Sequence, residues 1–153
     1  MSQALKDIVG IMSDERPRIA RYSYSAGPVR SKFLLSLRDS QKILGTKCPT
    51  CGRVYVPARS ICIKCFGDIN EWVEISDEGT LETFTIVYES QPIYHANPPF
   101  AFGIIKLDGA DTGLVHRLGE ADFKRIHIGM RLKAVFEDRL KGDIRDIKYF
   151  KPV

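Results

Sequence analysis

Four cysteines are the residues in this chain best suited to do chemistry, and they stand as two Cys-x-x-Cys pairs. Cys48/Cys51 and Cys62/Cys65 are separated by ten residues in the stretch KCPTCGRVYVPARSICIKCFG, Lys47 to Gly67. A two-residue insert lets both sulfurs of one tight turn face the same point, and two such turns can close a tetrahedron around a soft divalent ion, with Zn–S distances of about 2.3 Å. Gly52 follows the first pair and Gly67 lies two residues past Cys65. Both are expected to supply the left-handed backbone that turns amides toward metal-bound sulfur. Two disulfides or four ordinary thiols are the alternative. The spacing favours zinc, and a shell closed by four thiolates leaves no open position for water or substrate, so the expected metal is structural.

Other reactive groups are sparse. His95, His116 and His127 are scattered without ligand-like or triad-like spacing. No nucleophile elbow, phosphate loop or dinucleotide fingerprint is present. With every cysteine committed to metal, no thiolate is left for nucleophilic catalysis, and the chain reads as a non-enzyme.

The elements that must position the cysteines follow from pattern. The chain has 153 residues, 44% hydrophobic and 27% charged, with a net charge of +4. This is ordinary for a globular chain and far from the basic density of a dedicated nucleic-acid binder. It contains no apolar run of about 18 residues, and MSQALKDIVGIMSDERPR has no secretory n-region. Cysteines used only in metal-type spacing, without such a signal, point to a cytoplasmic location. Ala4, Leu5, Ile8, Val9, Ile11 and Met12 suggest a short helix in residues 1–20, with a frayed tail as the alternative. YSYSAGPV, Tyr22 to Val29, reads as an extended arm. A helix is expected over about 31–40, capped by Ser31, with Phe33, Leu34 and Leu37 on one face, and then a short strand at Lys42–Lys47. Between the cysteine pairs, Arg53 to Pro57 alternates like a strand, which gives a zinc ribbon too small to fold without its metal.

Past Glu71 the texture becomes β. Trp72–Ile75 is a short alternation. Strands are expected at Thr80–Glu89, Phe100–Leu107, Gly113–Leu118, Met130–Glu137 and Ile144–Phe150, with a Pro-rich loop at Gln91–Pro99 and a short helical or irregular link before the fourth. Five strands with a helix-like insertion between the third and fourth match the plan of an OB-fold barrel. The expected class is mainly β: an N-terminal helical arm over 1–44, a zinc ribbon over 45–70 and a five-stranded barrel over 71–153.

That order, with the residues that carry it, resembles the acyl-CoA-associated family in which a rubredoxin-like zinc ribbon precedes an OB-fold. The matching residues are Gly45-Thr46-Lys47-Cys48-Pro49, Cys51-Gly52-Arg53-Val54-Tyr55-Val56-Pro57, Arg59, Cys62 and Cys65. They continue with Trp72, Gly79-Thr80-Leu81, Thr83 to Val87, Pro98 to Ile105, Leu107, and Ile128-Gly129-Met130-Arg131-Leu132 to Val135-Phe136. The resemblance covers roughly residues 22–150. It implies a non-catalytic subunit that partners a thiolase-like, hydroxymethylglutaryl-CoA-synthase-like or thiolase-like aldolase enzyme and helps bind or pass its acyl-CoA.

Coenzyme A carries phosphates, an adenine and a thin pantetheine arm, so its site needs cations, an apolar shelf and a groove. Lys47, Arg53 and Arg59 are the candidate cations, and Tyr55, Phe84 and Phe100 the candidate apolar surfaces; Phe84 reads more readily as core. The rival reading is single-stranded nucleic-acid binding, which ribbons and OB-folds both support. Glu71, Glu74, Asp77, Glu78, Glu82 and Glu89 interrupt any basic track and speak against it.

Overall fold

The computed structural model describes residues 25–89 and 97–153. The helix expected in residues 1–20, most of the Pro-rich loop and His95 lie outside the described residues. Helix α1 spans Gly27–Ser40, four residues longer than the sequence pattern suggests, and begins in the segment read as an extended arm. Pro28 explains the difference, because a ring-fixed φ with no N–H suits the first turn, where amides lack intrahelical partners. Ala26, not Ser31, is the N-cap, and the Gly27 amide donates to the Ser25 hydroxyl at 3.2 Å. Phe33 and Leu37, one turn apart, are the buried face. The C-terminus closes with Gln41 in the left-handed region, donating to the Leu37 carbonyl, while Lys42 donates to Ser36.

Strands β1 (Ile43–Lys47), β2 (Val54–Tyr55) and β3 (Glu71–Ile75) form an antiparallel sheet in the order β2-β1-β3. β3 pairs with β1 along its whole length, Ile43 opposite Ile75 and Lys47 opposite Glu71. Residues 71–75, expected to open the barrel, are therefore hydrogen-bonded into the ribbon's sheet. Lys32 of α1 lies 4.4 Å above the Trp72 ring and ties the helix to β3.

The remaining strands are β4 (Glu78–Val87), β5 (Phe100–Leu107), β6 (Gly113–Leu118), β7 (Arg131–Phe136) and β8 (Ile147–Pro152). They close in the order β4-β5-β6-β8-β7, with β7 returning to β4 through Gly79 opposite Leu132. β6 and β8 meet in parallel, Leu118 opposite Phe150. This is a five-stranded OB-type barrel. The helix-like insertion reduces to a single turn, in which Arg125 and Ile126 donate to the Asp122 carbonyl. A 3₁₀ turn, Ile144–Asp146, precedes β8. Its Asp146 carboxylate is buried and accepts backbone N–H bonds from Lys141, Gly142 and Asp143 at 2.8, 2.7 and 3.2 Å.

One apolar core runs through all three parts. Phe33 and Leu37 of the helix and Ile43, Val56 and Ile75 of the ribbon belong to the same buried cluster as barrel residues such as Leu81, Ile105, Leu114, Leu132 and Phe150. The junction is also stitched by polar bonds from the β5–β6 turn. Val54 donates to the Asp111 carboxylate at 2.8 Å, Val56 donates to the Thr112 hydroxyl at 2.8 Å, and that hydroxyl donates to the Val56 carbonyl at 2.9 Å. No helix among the described residues is long and apolar enough to cross a membrane.

Candidate metal centre and its surroundings

The two cysteine pairs sit at the tips of two matching turns. In the first, Gly52 donates to the Cys48 carbonyl at 2.9 Å; in the second, Phe66 donates to the Cys62 carbonyl at the same distance. The turns bring all four Sγ atoms within 4.8 Å of one another. Cys51 and Cys62 sulfurs stand 3.7 Å apart, close to the edge of about 3.8 Å expected for a tetrahedron with Zn–S bonds of about 2.3 Å. No disulfide joins the four cysteines.

The donor set is also electrostatically suited to a cation. Sulfurs packed this closely cannot all ionise alone, so their tendencies split. Cys62 is held down to about 6, chiefly by the Tyr55 hydroxyl. Cys65 is pushed up to about 12, chiefly by the neighbouring Cys51 thiol and by burial. A divalent ion bound by Cys48, Cys51, Cys62 and Cys65 would neutralise the cluster and supply structural cross-linking. The residues present fit zinc.

Tyr55 occupies a place the sequence did not suggest. It is 0% exposed, and its hydroxyl lies 3.2 Å from the Cys62 sulfur. The same bond pushes the tyrosine upward, so it stays protonated and donates. The Cys65 amide adds a second donor to that sulfur at 3.3 Å. Tyr55 therefore belongs to the metal site, packed with Cys48, Cys62 and Ile69, and not to a ligand shelf. Phe100 is likewise corrected: it is 2% exposed, with its ring edge-on to Phe102 at 5.7 Å, and offers no surface to a ligand.

The three candidate cations do not converge. Lys47 faces Glu71 across the β1–β3 pair at 3.6 Å. Arg53 is half-buried beside the tyrosine. Arg59 is exposed, with its backbone held on both sides by the buried Thr46 hydroxyl, which donates to its carbonyl and accepts from its amide, each at 2.9 Å. Arg59 lines a cleft of about 470 Å³ against the start of α1, together with Arg30, Pro28, Val29, Ala58 and Ile61. Arg30 was not singled out from sequence, because it lies far from the cysteine motif along the chain. Phe84 is half-buried on the barrel wall and borders a shallow apolar groove with Phe102, Ile104 and Val115.

The second turn departs from the glycine expectation. Gly52 has φ +71, as predicted, but the equivalent left-handed position in the second turn is Phe66, φ 58, and Gly67 does not adopt that conformation. A bulky residue held there stores about 1–3 kcal/mol of backbone strain.

His116 sits in the barrel wall, 8% exposed, its ring edge-on to Phe150. Nε2 lies 3.3 Å from the Ile144 carbonyl and donates to it, which leaves Nδ1 as a buried lone pair without a partner among the described residues. Burial holds this histidine below the ordinary imidazole range. His127 is exposed and bonds the nearby Arg125 carbonyl through Nδ1. Among the described residues, neither histidine joins the thiol cluster.

Comparison with known proteins agrees with this architecture. Residues 36–71 match the family model of the ChsH2 rubredoxin-like zinc ribbon domain, and residues 72–137 match that of the ChsH2 C-terminal OB-fold domain. A Methanocaldococcus jannaschii protein named a DUF35 domain-containing scaffold protein is 29% identical over 123 residues, spanning 76% of this chain and 86% of its own. A scaffold protein of the same name from Methanothermobacter thermautotrophicus is 27% identical over 116 residues, spanning 72% of this chain and 86% of its own. The crystal structure of a DUF35-family protein of unknown function from Sulfolobus solfataricus superposes with TM-score 0.64 at 27% identity, covering 97% of this chain and 98% of that one. A chain of the Ltp2–ChsH2(DUF35) aldolase shares the fold, with TM-score 0.61 at 19% identity over 86% of this chain and 98% of that one. The chain thus belongs to the ChsH2-type, DUF35 family, in which a rubredoxin-like zinc ribbon leads directly into an OB-fold.

Proposed function

We propose that this chain is a non-catalytic accessory subunit, carrying a structural zinc, that partners a thiolase-like or hydroxymethylglutaryl-CoA-synthase-like enzyme and helps hold its acyl-CoA. The observation that carries this reading is the convergence of all four thiols on one point. It commits the chain's cysteines to metal and leaves acyl transfer to another protein. The names of the scaffold relatives and of the Ltp2–ChsH2 aldolase support a partnered role.

The cleft at the head of α1 supports the ligand part. The first turn of the helix carries no acid, and Arg30 and Arg59 flank its start. The helix dipole and two guanidinium groups together favour a phosphate. Pro28, Val29 and Ala58 give an apolar wall for a pantetheine arm. In this reading residues 1–44 meet the partner, and Lys47 and Arg53 lie at the margin of the ligand path. On this reading the chain works in the cytoplasm, where cysteines in metal-type spacing are kept reduced. Single-strand binding is disfavoured because the groove on the outer barrel wall, lined by Thr83, Phe84, Phe102, Ile104 and Val115, is apolar, where stacking platforms need cations beside the rings.

Tagged chain purified from its native host tests the partnership. A thiolase-like enzyme identified by mass spectrometry is the expected companion, and acetyl-CoA titrated into the complex by calorimetry should bind less tightly after R30A/R59A. Retained nucleic acid, seen as a raised 260/280 nm absorbance ratio, or a complex whose acetyl-CoA affinity ignores both arginines, would overturn the respective half of the reading.

A further inference from the structure

We propose that Phe66, with Ile61 and Ile63 beside it, is the anchor that docks the tip of the zinc ribbon into an apolar, carboxylate-rimmed pocket on the partner enzyme. This inference rests on the accessory-subunit reading above and assigns that subunit a docking point.

The two cysteine turns are an internal control. Both place one residue after the second cysteine in the left-handed region, and both close with the same amide-to-carbonyl bond at 2.9 Å. The first turn fills the position with Gly52, which takes that conformation at no steric cost. The second fills it with Phe66, which is 82% exposed. Two penalties thus fall on one residue: a strained backbone and a phenyl ring in water. Neither is relieved by packing in the folded chain, and neither is required by the metal, since Gly52 serves the matching turn without them. A ring kept at such a position is explained by what it touches in a complex.

Its neighbours agree. Ile61 and Ile63 flank the buried Cys62 and are 52% and 53% exposed, so the loop from 61 to 66 presents three large apolar side chains outward while its cysteines point in. The metal would make that loop rigid, and a rigid aromatic anchor loses little freedom on binding. Charge narrows the occupant. Lys64 lies within the loop, exposed and without an ion pair among the described residues. Four lysines on the sheets, by contrast, face acids: Lys47 meets Glu71, Lys133 meets Glu78, Lys148 meets Glu137 and Lys151 meets Glu120. An apolar tip with an uncompensated cation fits a pocket that is apolar at its floor and acidic at its rim.

Photocrosslinking in the native host tests this, with p-benzoylphenylalanine placed at position 66 in one strain and at Ile128, another exposed apolar position, in a second. The expected result is a crosslink from position 66 to the thiolase-like enzyme. A crosslink to that enzyme from 128 but none from 66 would overturn the docking point and leave the accessory reading intact. Capture by residues 1–24 of the same chain, or by a second copy, would overturn it in favour of those occupants. No crosslink from either position, with no thiolase-like enzyme co-purifying, would remove the accessory reading and this inference together. Purified F66G adds a quantitative check, because glycine relaxes the backbone at that position. Its melting temperature should be unchanged or higher, while affinity for the identified enzyme falls at least tenfold; a lower melting temperature with unchanged affinity would make Phe66 a structural residue.

Discussion

Replacing Tyr55 by phenylalanine removes one oxygen atom from the core of the ribbon, and its effect can be worked out in advance. The ring stays in a site that is fully buried, so little packing is lost. What disappears is the hydroxyl donor 3.2 Å from the Cys62 sulfur. A hydrogen bond to a charged acceptor contributes about 1.5–3 kcal/mol, and groups that bond metal ligands typically set affinity by about 10–100-fold when removed. The two scales agree, since each factor of ten is about 1.4 kcal/mol. Cys62 keeps the Cys65 amide as a donor at 3.3 Å, so the loss is partial and the site still forms. Competition against a chromophoric zinc chelator at pH 7.5 should show Y55F binding zinc about 10–100-fold more weakly than the parent. Tyr149 provides the contrast: its hydroxyl bonds Glu120 near the surface of the barrel, and Y149F should leave zinc affinity within twofold. Equal affinity in Y55F and parent would refute the assignment of Tyr55 to the metal site.

Three further outcomes follow from the geometry. Removal of zinc with a strong chelator should lower the melting temperature of the whole chain and release one zinc per chain, measured by plasma mass spectrometry; a barrel melting unchanged would contradict the shared core. His116 has a folded-state value below its unfolded one, so the unfolded chain binds the extra proton first. Its stabilising effect is complete above about pH 6.5 and is lost as pH falls below that value, at up to about 1.4 kcal/mol per pH unit. Melting curves at pH 7.5 and 5.0 should show a smaller acid loss in H116Q than in the parent, and equal losses would refute the buried neutral imidazole. D146N replaces a buried carboxylate that accepts three amides with a group that turns a donor toward them. It should destabilise by about 2–3 kcal/mol in urea titration, and a change under about 0.5 kcal/mol would show the loop to be held by other contacts.

The parts of this molecule that were legible in sequence are those fixed by local spacing. Cys-x-x-Cys is read within four residues, and the strands Phe100–Leu107 and Gly113–Leu118 keep the bounds their alternation implies. What escaped was set by distant partners. Tyr55 sits in an alternating run whose two faces look equally plausible, and only the second cysteine turn folding over it decides which one is buried. Residues 71–75 follow the ribbon and precede the barrel, and nothing local says that they pair back onto β1. The start of α1 was hidden by a proline and glycine that read as loop signals, although proline at a helix's first turn is favourable. Phe66 was overlooked because a glycine stands next to it, and the rule that left-handed positions prefer glycine pointed one residue too far.

The turn at Asp111 and Thr112 has a consequence for how the molecule moves. Its bonds grip β2 from the barrel side, and only Ser76 and Asp77 separate β3 from β4. A short tether on one side and a polar clasp on the other leave no hinge between metal site and barrel. Any force applied at the ribbon's tip is therefore delivered to the barrel wall as a rigid-body displacement, as a lever transmits it, and the orientation of the tip fixes that of the barrel.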